Sequence, residues 1–105
     1  ILKGDDVDLS KIPVLTCWPH DGGPFVTLPM VFTHNPNNGR RNVGMYRVQI
    51  YDKNTTGMHW QTHKVAAQHE RDAAARGQKI EAAVCLGGDP CLPFCALAPL
   101  PEEID

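Results

Sequence analysis

Short apolar blocks alternate with dense turn signals along this chain, and the blocks carry strand patterns more often than helical ones. Residues 25–33, Phe-Val-Thr-Leu-Pro-Met-Val-Phe-Thr, are rich in β-branched and aromatic side chains and predict a strand. Pro29 lacks a backbone donor, which implies an edge position or a bulge. Residues 34–39 form a strong turn signal, with Asn38-Gly39 suited to positive φ. Residues 41–52 predict the next strand. Val43, Met45, Arg47, Gln49 and Tyr51 share one face, and Asn42, Gly44, Tyr46, Val48 and Ile50 share the other. Residues 53–57 turn the chain and Met58 to His63 return it, so the two arms predict a β-hairpin. Lys64 to Arg76 then reads as an Ala-rich helix that stops at Gly77 and packs closely on a sheet. Lys79 to Leu86 predicts a strand. Asp89 is placed to cap a short helix over Cys91–Ala98, with Pro90 at its first position and Pro99 and Pro101 ending it. The order is α+β, with a mostly antiparallel sheet able to curl into a barrel and one or two flanking helices.

Length and charge narrow the picture. With 105 residues the chain supports one domain, read as a connecting segment over 1–24 and a domain over 25–105. Ten Lys plus Arg stand against 12 Asp plus Glu, so no strong field draws the chain to nucleic acid or a membrane surface. No apolar run approaches the ~20 residues of a membrane span, and no signal peptide is visible. The chain starts at Ile1 and finishes in a Pro- and Glu-containing stretch, and it reads as a piece of a longer protein. Glu102, Glu103 and Asp105 suggest a solvated tail. Cys85, Cys91 and Cys95 sit in apolar surroundings without paired C-x2-C knuckles. They and Cys17 are expected to be reduced thiols, the three buried, in a cytoplasmic protein.

Several side chains on the predicted hairpin could carry chemistry. His is a good metal ligand and Asn offers a carbonyl oxygen. Pairing through the 53–57 turn would let Asn42 and His63 meet. The plainer alternative is that Asn42 ends a turn and His63 caps the following helix. Arg47 is a fixed charge on a largely apolar strand, so either the face is solvated or an anion meets it. Asn42 and Arg47 lie on opposite strand faces, and both serve one site only if the strand bulges at Gly44. Trp60 is suited to stack on a planar ring or to fill a core. Gly87-Gly88-Asp89-Pro90 matches no phosphate-loop pattern and reads as a turn with a helix cap.

Five segments together resemble the central part of the UbiD-type decarboxylases: Trp18-Pro19-x-Asp21-Gly22-Gly23, Arg41-Asn42-Val43-Gly44-Met45-Tyr46-Arg47, His59-Trp60-x-x-His63, Ala83-Val84-Cys85-Leu86-Gly87-Gly88-Asp89-Pro90 and Ala98-Pro99-Leu100-Pro101. The resemblance implies an FMN-binding split barrel that holds prenylated FMN beside a divalent metal, usually manganese, with potassium nearby. It implies Asn42 and His63 as metal ligands. Met45, Tyr46, Arg47, His59, Trp60, Gln61, Lys64 and Val65 would line the cofactor. Arg47 would be the catalytic arginine that positions a substrate carboxylate between two acids. The implied reaction is reversible, non-oxidative decarboxylation of a small aromatic or α,β-unsaturated acid. The implied partners are the remainder of the parent chain and further copies in a homo-oligomer. In the family the third metal ligand, a Glu, and two catalytic acids come from later in the sequence, so the 105 residues alone are expected to be inactive. A split-barrel flavin carrier without decarboxylase chemistry is the alternative.

Overall fold

Each of the two long strands expected from the sequence breaks once. Residues 25–33 divide into β1 (Phe25–Val26) and β2 (Met30–His34), and residues 41–52 into β3 (Arg41–Met45) and β4 (Val48–Ile50). The first break falls at Pro29, which has no N–H to give a ladder. Pro29 is neither on an edge strand nor in a bulge. It is fully buried just ahead of β2, the central strand of its sheet. The computed structural model describes residues 1–101 and 104; the expected tail residues Glu102, Glu103 and Asp105 lie outside the described residues.

The result is an α+β fold in which every strand pairing is antiparallel. Its strands form two separate three-stranded sheets, and among the described residues neither sheet closes into a barrel. The chain divides into two compact units: residues 1–27 with 47–59, and the segments from Leu28 to Tyr46 and from Trp60 onward. The domain expected over 25–105 therefore draws on both.

In the first unit, the sheet order is β1, β4 and β5 (Thr56–Met58). Val48 pairs with Met58 and Phe25 with Gln49, and Phe25 and Val48 are buried. The segment before β1 holds two 3-10 turns, Gly4–Asp6 and Leu9–Lys11, and is joined on by a bridge from Leu15 to Phe25. The N–H of Leu9 donates to the Lys53 carbonyl at 2.8 Å, which fastens this segment to the β4–β5 turn.

In the second unit, the order is β3, β2 and β6 (Ala82–Cys85). The turn over 35–40 forms as its sequence predicts. Gly39 has φ of 74°, and the Asn35 N–H donates to the Arg40 carbonyl at 2.8 Å. Helix α1 (Val65–Ala75) covers β2 and β3 with Ala66, Ala67, His69 and Ala73 buried. Small side chains permit that close approach. The helix ends at Gly77, with φ of 67°. Gln78 N–H reaches the Ala73 carbonyl at 3.0 Å and Gly77 N–H the Ala74 carbonyl at 2.9 Å, a Schellman closure. Beneath α1, Thr33 Oγ1 lies 3.0 Å from His69 Nδ1, both residues being buried. Thr33→Val keeps the shape and removes this bond, so unfolding in urea should show a loss of about 1–3 kcal/mol.

Helix α2 (Cys91–Leu97) packs on β3 and β2 and begins as expected, with the Cys91 N–H donating to Asp89 Oδ1 at 2.9 Å. That bond holds the Asp89 carboxyl below its ordinary pKa. Its capping contribution is therefore complete above the ordinary Asp range and fades as pH falls through the lowered value. Hydrogen bonding to Asp89 in turn pushes the Cys91 thiol up, which keeps it protonated. The expected burial of the thiols is not found: Cys17, Cys85, Cys91 and Cys95 are all free and exposed. β6 is a short edge strand whose four residues are all exposed, and α2 leaves Leu92, Phe94 and Leu97 exposed as well. Apolar neighbours in sequence were a poor guide because these elements cover the sheet without being covered themselves.

Candidate functional site

The expected site residues fall into two groups, one in each unit. In the second unit a recess of about 300 Å³ is lined by Asn42, Met45, Tyr46, His63, Lys64 and Val65, among others, and by the end of α2. The alternation of β3 turns Asn42 and Gly44 to its buried side. Tyr46 follows, also buried, and its ring lies against Gly44: a Cβ there would sit 2.6 Å from Tyr46 Oη. Tyr46 Oη accepts from the Ala66 N–H at 3.4 Å, which joins the end of β3 to the first turn of α1. His63 and Lys64 precede that turn, and so reach the same recess.

Asn42 and His63 are thus brought to one recess, but not by the expected route. The β4–β5 ladder stops at Val48–Met58, with one further bond from the His59 N–H to the Arg47 carbonyl at 2.9 Å. Asn42 pairs with Thr33 of β2 instead. The alternative roles also fail. Asn42 lies inside a strand, and the N-cap of α1 is Lys64, with no side-chain cap bond. Asn42 is buried and its Nδ2 has no hydrogen-bond partner among the described residues. An amide is nearly the same shape when rotated, and rotation would turn its carbonyl oxygen to that unpartnered position. A buried oxygen beside an imidazole suits a cation such as manganese. These are two donors only; among the described residues no group of three His, Cys, Asp or Glu is arranged to hold a metal.

The bulge expected at Gly44 is absent. The β2–β3 ladder is regular from Arg41 to Met45, with Gly44 opposite Val31, and the strand breaks afterwards, between Met45 and Val48. Arg47 therefore belongs to the first unit. There its guanidinium makes a fork to Asp21, Nη1 to Oδ2 at 3.0 Å and Nη2 to Oδ1 at 2.9 Å, and lies 3.6 Å over the ring of Phe25. The pair is largely withdrawn from water, with side-chain exposures of 34% for Arg47 and 11% for Asp21. Gln49 Nε2 donates to the Gly22 carbonyl at 2.6 Å. Arg47, Gln49, Tyr51 and His59 line an open recess of about 400 Å³.

Sequence reasoning looked for the acids facing Arg47 beyond residue 105 and missed Asp21. The signal was available in principle: a half-buried arginine needs a carboxylate, and Asp21-Gly22-Gly23 is a turn able to present one. Trp60 sits in the second unit and meets Tyr46 edge-on, with ring centroids 6.0 Å apart at 89°. Gln61 is exposed, and its carbonyl accepts from the Lys64 N–H at 3.0 Å.

The family model described as the UbiD 3-octaprenyl-4-hydroxybenzoate carboxy-lyase Rift-related domain matches residues 1–105. The chain belongs to the UbiD family. It is 45% identical over 98 residues to a 4-hydroxybenzoate decarboxylase from Chlamydia pneumoniae, covering 93% of this chain and 17% of that protein. Among solved structures it is similar to vanillic acid decarboxylase of Sedimentibacter hydroxybenzoicus in its closed form, with a TM-score of 0.89 and 25% identity over 94% of this chain and 22% of the other. It is also similar to an evolved dimeric form of the UbiD-class enzyme HmfF from Pelotomaculum thermopropionicum in complex with prFMN, with a TM-score of 0.83 and 25% identity over 88% of this chain and 22% of the other. The chain thus spans about a fifth of the length of the UbiD-class proteins it matches. UbiD-class decarboxylases are carboxy-lyases, and the neighbours carrying FMN or prFMN share this fold. No described helix is long and apolar enough to cross a membrane.

Proposed function

We propose that this chain is the cofactor- and metal-binding part of a reversible, non-oxidative decarboxylase acting on a small aromatic or α,β-unsaturated carboxylic acid. The observation that carries the reading is Arg47, a half-buried guanidinium at an open recess with three N–H groups left after its fork to Asp21. Those donors suit the carboxylate of an acid substrate, and a planar fork fixes its orientation better than a point charge. Prenylated FMN, when bound, would supply the electron sink for the bond broken as CO₂ leaves. Met45, Tyr46, Lys64 and Val65 would hold it from the second unit, and Arg47 and His59 from the first. Trp60 would support it through Tyr46, and Gln61 through the turn it shares with Lys64.

Asn42 and His63 would hold manganese as two of its ligands, and the rest of the parent chain would supply others. The fold is read as the split-barrel type. Potassium binding, assembly into homo-oligomers and a cytoplasmic location belong to the same reading, and the 105 residues alone would not turn over.

The test uses the full-length protein reconstituted with prenylated FMN and manganese, assayed for CO₂ release from a panel of aromatic and unsaturated acids. Failure of every acid while cofactor is bound would overturn the reading. Asn42→Ala and His63→Ala should each weaken manganese binding, read by electron paramagnetic resonance. The loss should exceed the roughly 10–100-fold typical of a change outside the ligand set. Unchanged affinity in both would remove them as ligands.

A further inference from the structure

We infer that Asp21 is a positioning residue for Arg47, and that the turn around it is built for that task. The inference rests on the proposed role of Arg47 and extends it to a residue with no assigned role.

The sequence places Asp21 in a Trp18–Gly23 turn. The Asp21 N–H donates to the Trp18 carbonyl at 3.1 Å, and the Gly22 N–H donates to Asp21 Oδ1 at 3.1 Å. Gly23 has φ of 133°, a conformation that side chains rarely adopt. A Cβ on Gly22 would sit 2.8 Å from Gln49 Nε2. Both glycines therefore serve the turn.

Two side chains of one strand edge grip this turn. Arg47 and Gln49 are two residues apart and point the same way. Arg47 forks the Asp21 carboxylate, and Gln49 donates to the next carbonyl, that of Gly22. Phe25 closes the face of the guanidinium at 3.6 Å. The Arg47 plane is thus set by three contacts: a fork in its plane, a ring beneath it and a neighbouring bond that fixes the partner's turn.

The consequence for substrate is specific. Arg47 with Asp21 is close to neutral, so the pair attracts an acid less than a bare guanidinium would. It holds the remaining N–H groups in one direction instead. Orientation in the reacting complex appears in kcat, whereas general attraction appears in KM. Removing the Asp21 charge should lower kcat while leaving KM unchanged or reduced.

The experiment uses the full-length holoenzyme, with rates expressed per bound flavin. Asp21→Asn keeps the size and loses the fork, since one amide end cannot accept. Its kcat should fall by about 10–100-fold with KM equal to or below that of the wild type. Arg47→Lys and the double variant complete a cycle, in which the two losses should not multiply. If Asn at position 21 prevents folding, Asp21→Glu carries the test. It keeps the charge but lengthens the arm, and should lower kcat by less than Asp21→Asn is expected to. A purely structural Asp21 would lower flavin occupancy and melting temperature and leave kcat per bound flavin as in the wild type. That result, or fully multiplying losses, would overturn the inference. If Arg47→Lys itself retained full activity, the proposed role of Arg47 would fail first, and the two failures are thereby distinguished.

Discussion

Arg47→Lys in the full-length protein should lower kcat/KM for an acid substrate by about 10²–10³-fold. Lysine would keep the positive charge, so the loss would report geometry. An ammonium cannot fork Asp21 through two nitrogens, and it cannot lie flat over Phe25 at 3.6 Å. Asp21 would then face one strongly hydrated point charge, and the donors directed to the recess would be lost. Steady-state rates alongside flavin absorbance check this. Flavin content should stay near the wild-type level, because Arg47 is one of several residues proposed to line the cofactor. Activity within about threefold of the wild type would remove Arg47 from the chemistry.

The largest stability effect is expected at Gly44. Its position needs the absence of a side chain, since a Cβ would approach Tyr46 Oη to 2.6 Å and the ring carbons to 2.7 and 2.8 Å. The ring has little room to yield. It is buried, bonded to the Ala66 N–H and set edge-on to Trp60. Gly44→Ala should cost about 1–3 kcal/mol in chemical denaturation, and Gly44→Val more, as overpacking does in a filled core. Tyr46→Leu should recover part of the Gly44→Ala loss, because the atoms in collision are gone. An unchanged denaturation midpoint for Gly44→Ala would show that the ring moves freely.

Local chemistry made much of the fold legible. The 35–40 turn, the Gly77 stop, the Asp89 cap and the β4–β5 hairpin each rest on neighbouring residues, and each formed as expected. The alternation that set Asn42, Gly44, Tyr46 and Val48 on one side matches their burial. The split of each long strand was less legible. Pro29 hinted at one, but the interruption near Tyr46–Arg47 carries no Pro and no turn pair. The family's motifs marked Asn42, His63 and Arg47, and the hairpin was offered as the frame that joined them. The frame was wrong. Thr33 holds the place opposite Asn42, and a bulge at Gly44 was not needed.

By itself, the sequence determined the element types, the turns, the family and the residues suited to chemistry, because these depend on short-range backbone preferences and on motif identity. Only the tertiary structure decided which residues meet. Strand pairing is a choice among ladders that the local pattern permits equally, and packing breaks the tie. It sent β3 to β2 and β4 to β5. The same long-range choice put Asp21, 26 residues from Arg47 along the chain, within hydrogen-bond reach of its guanidinium.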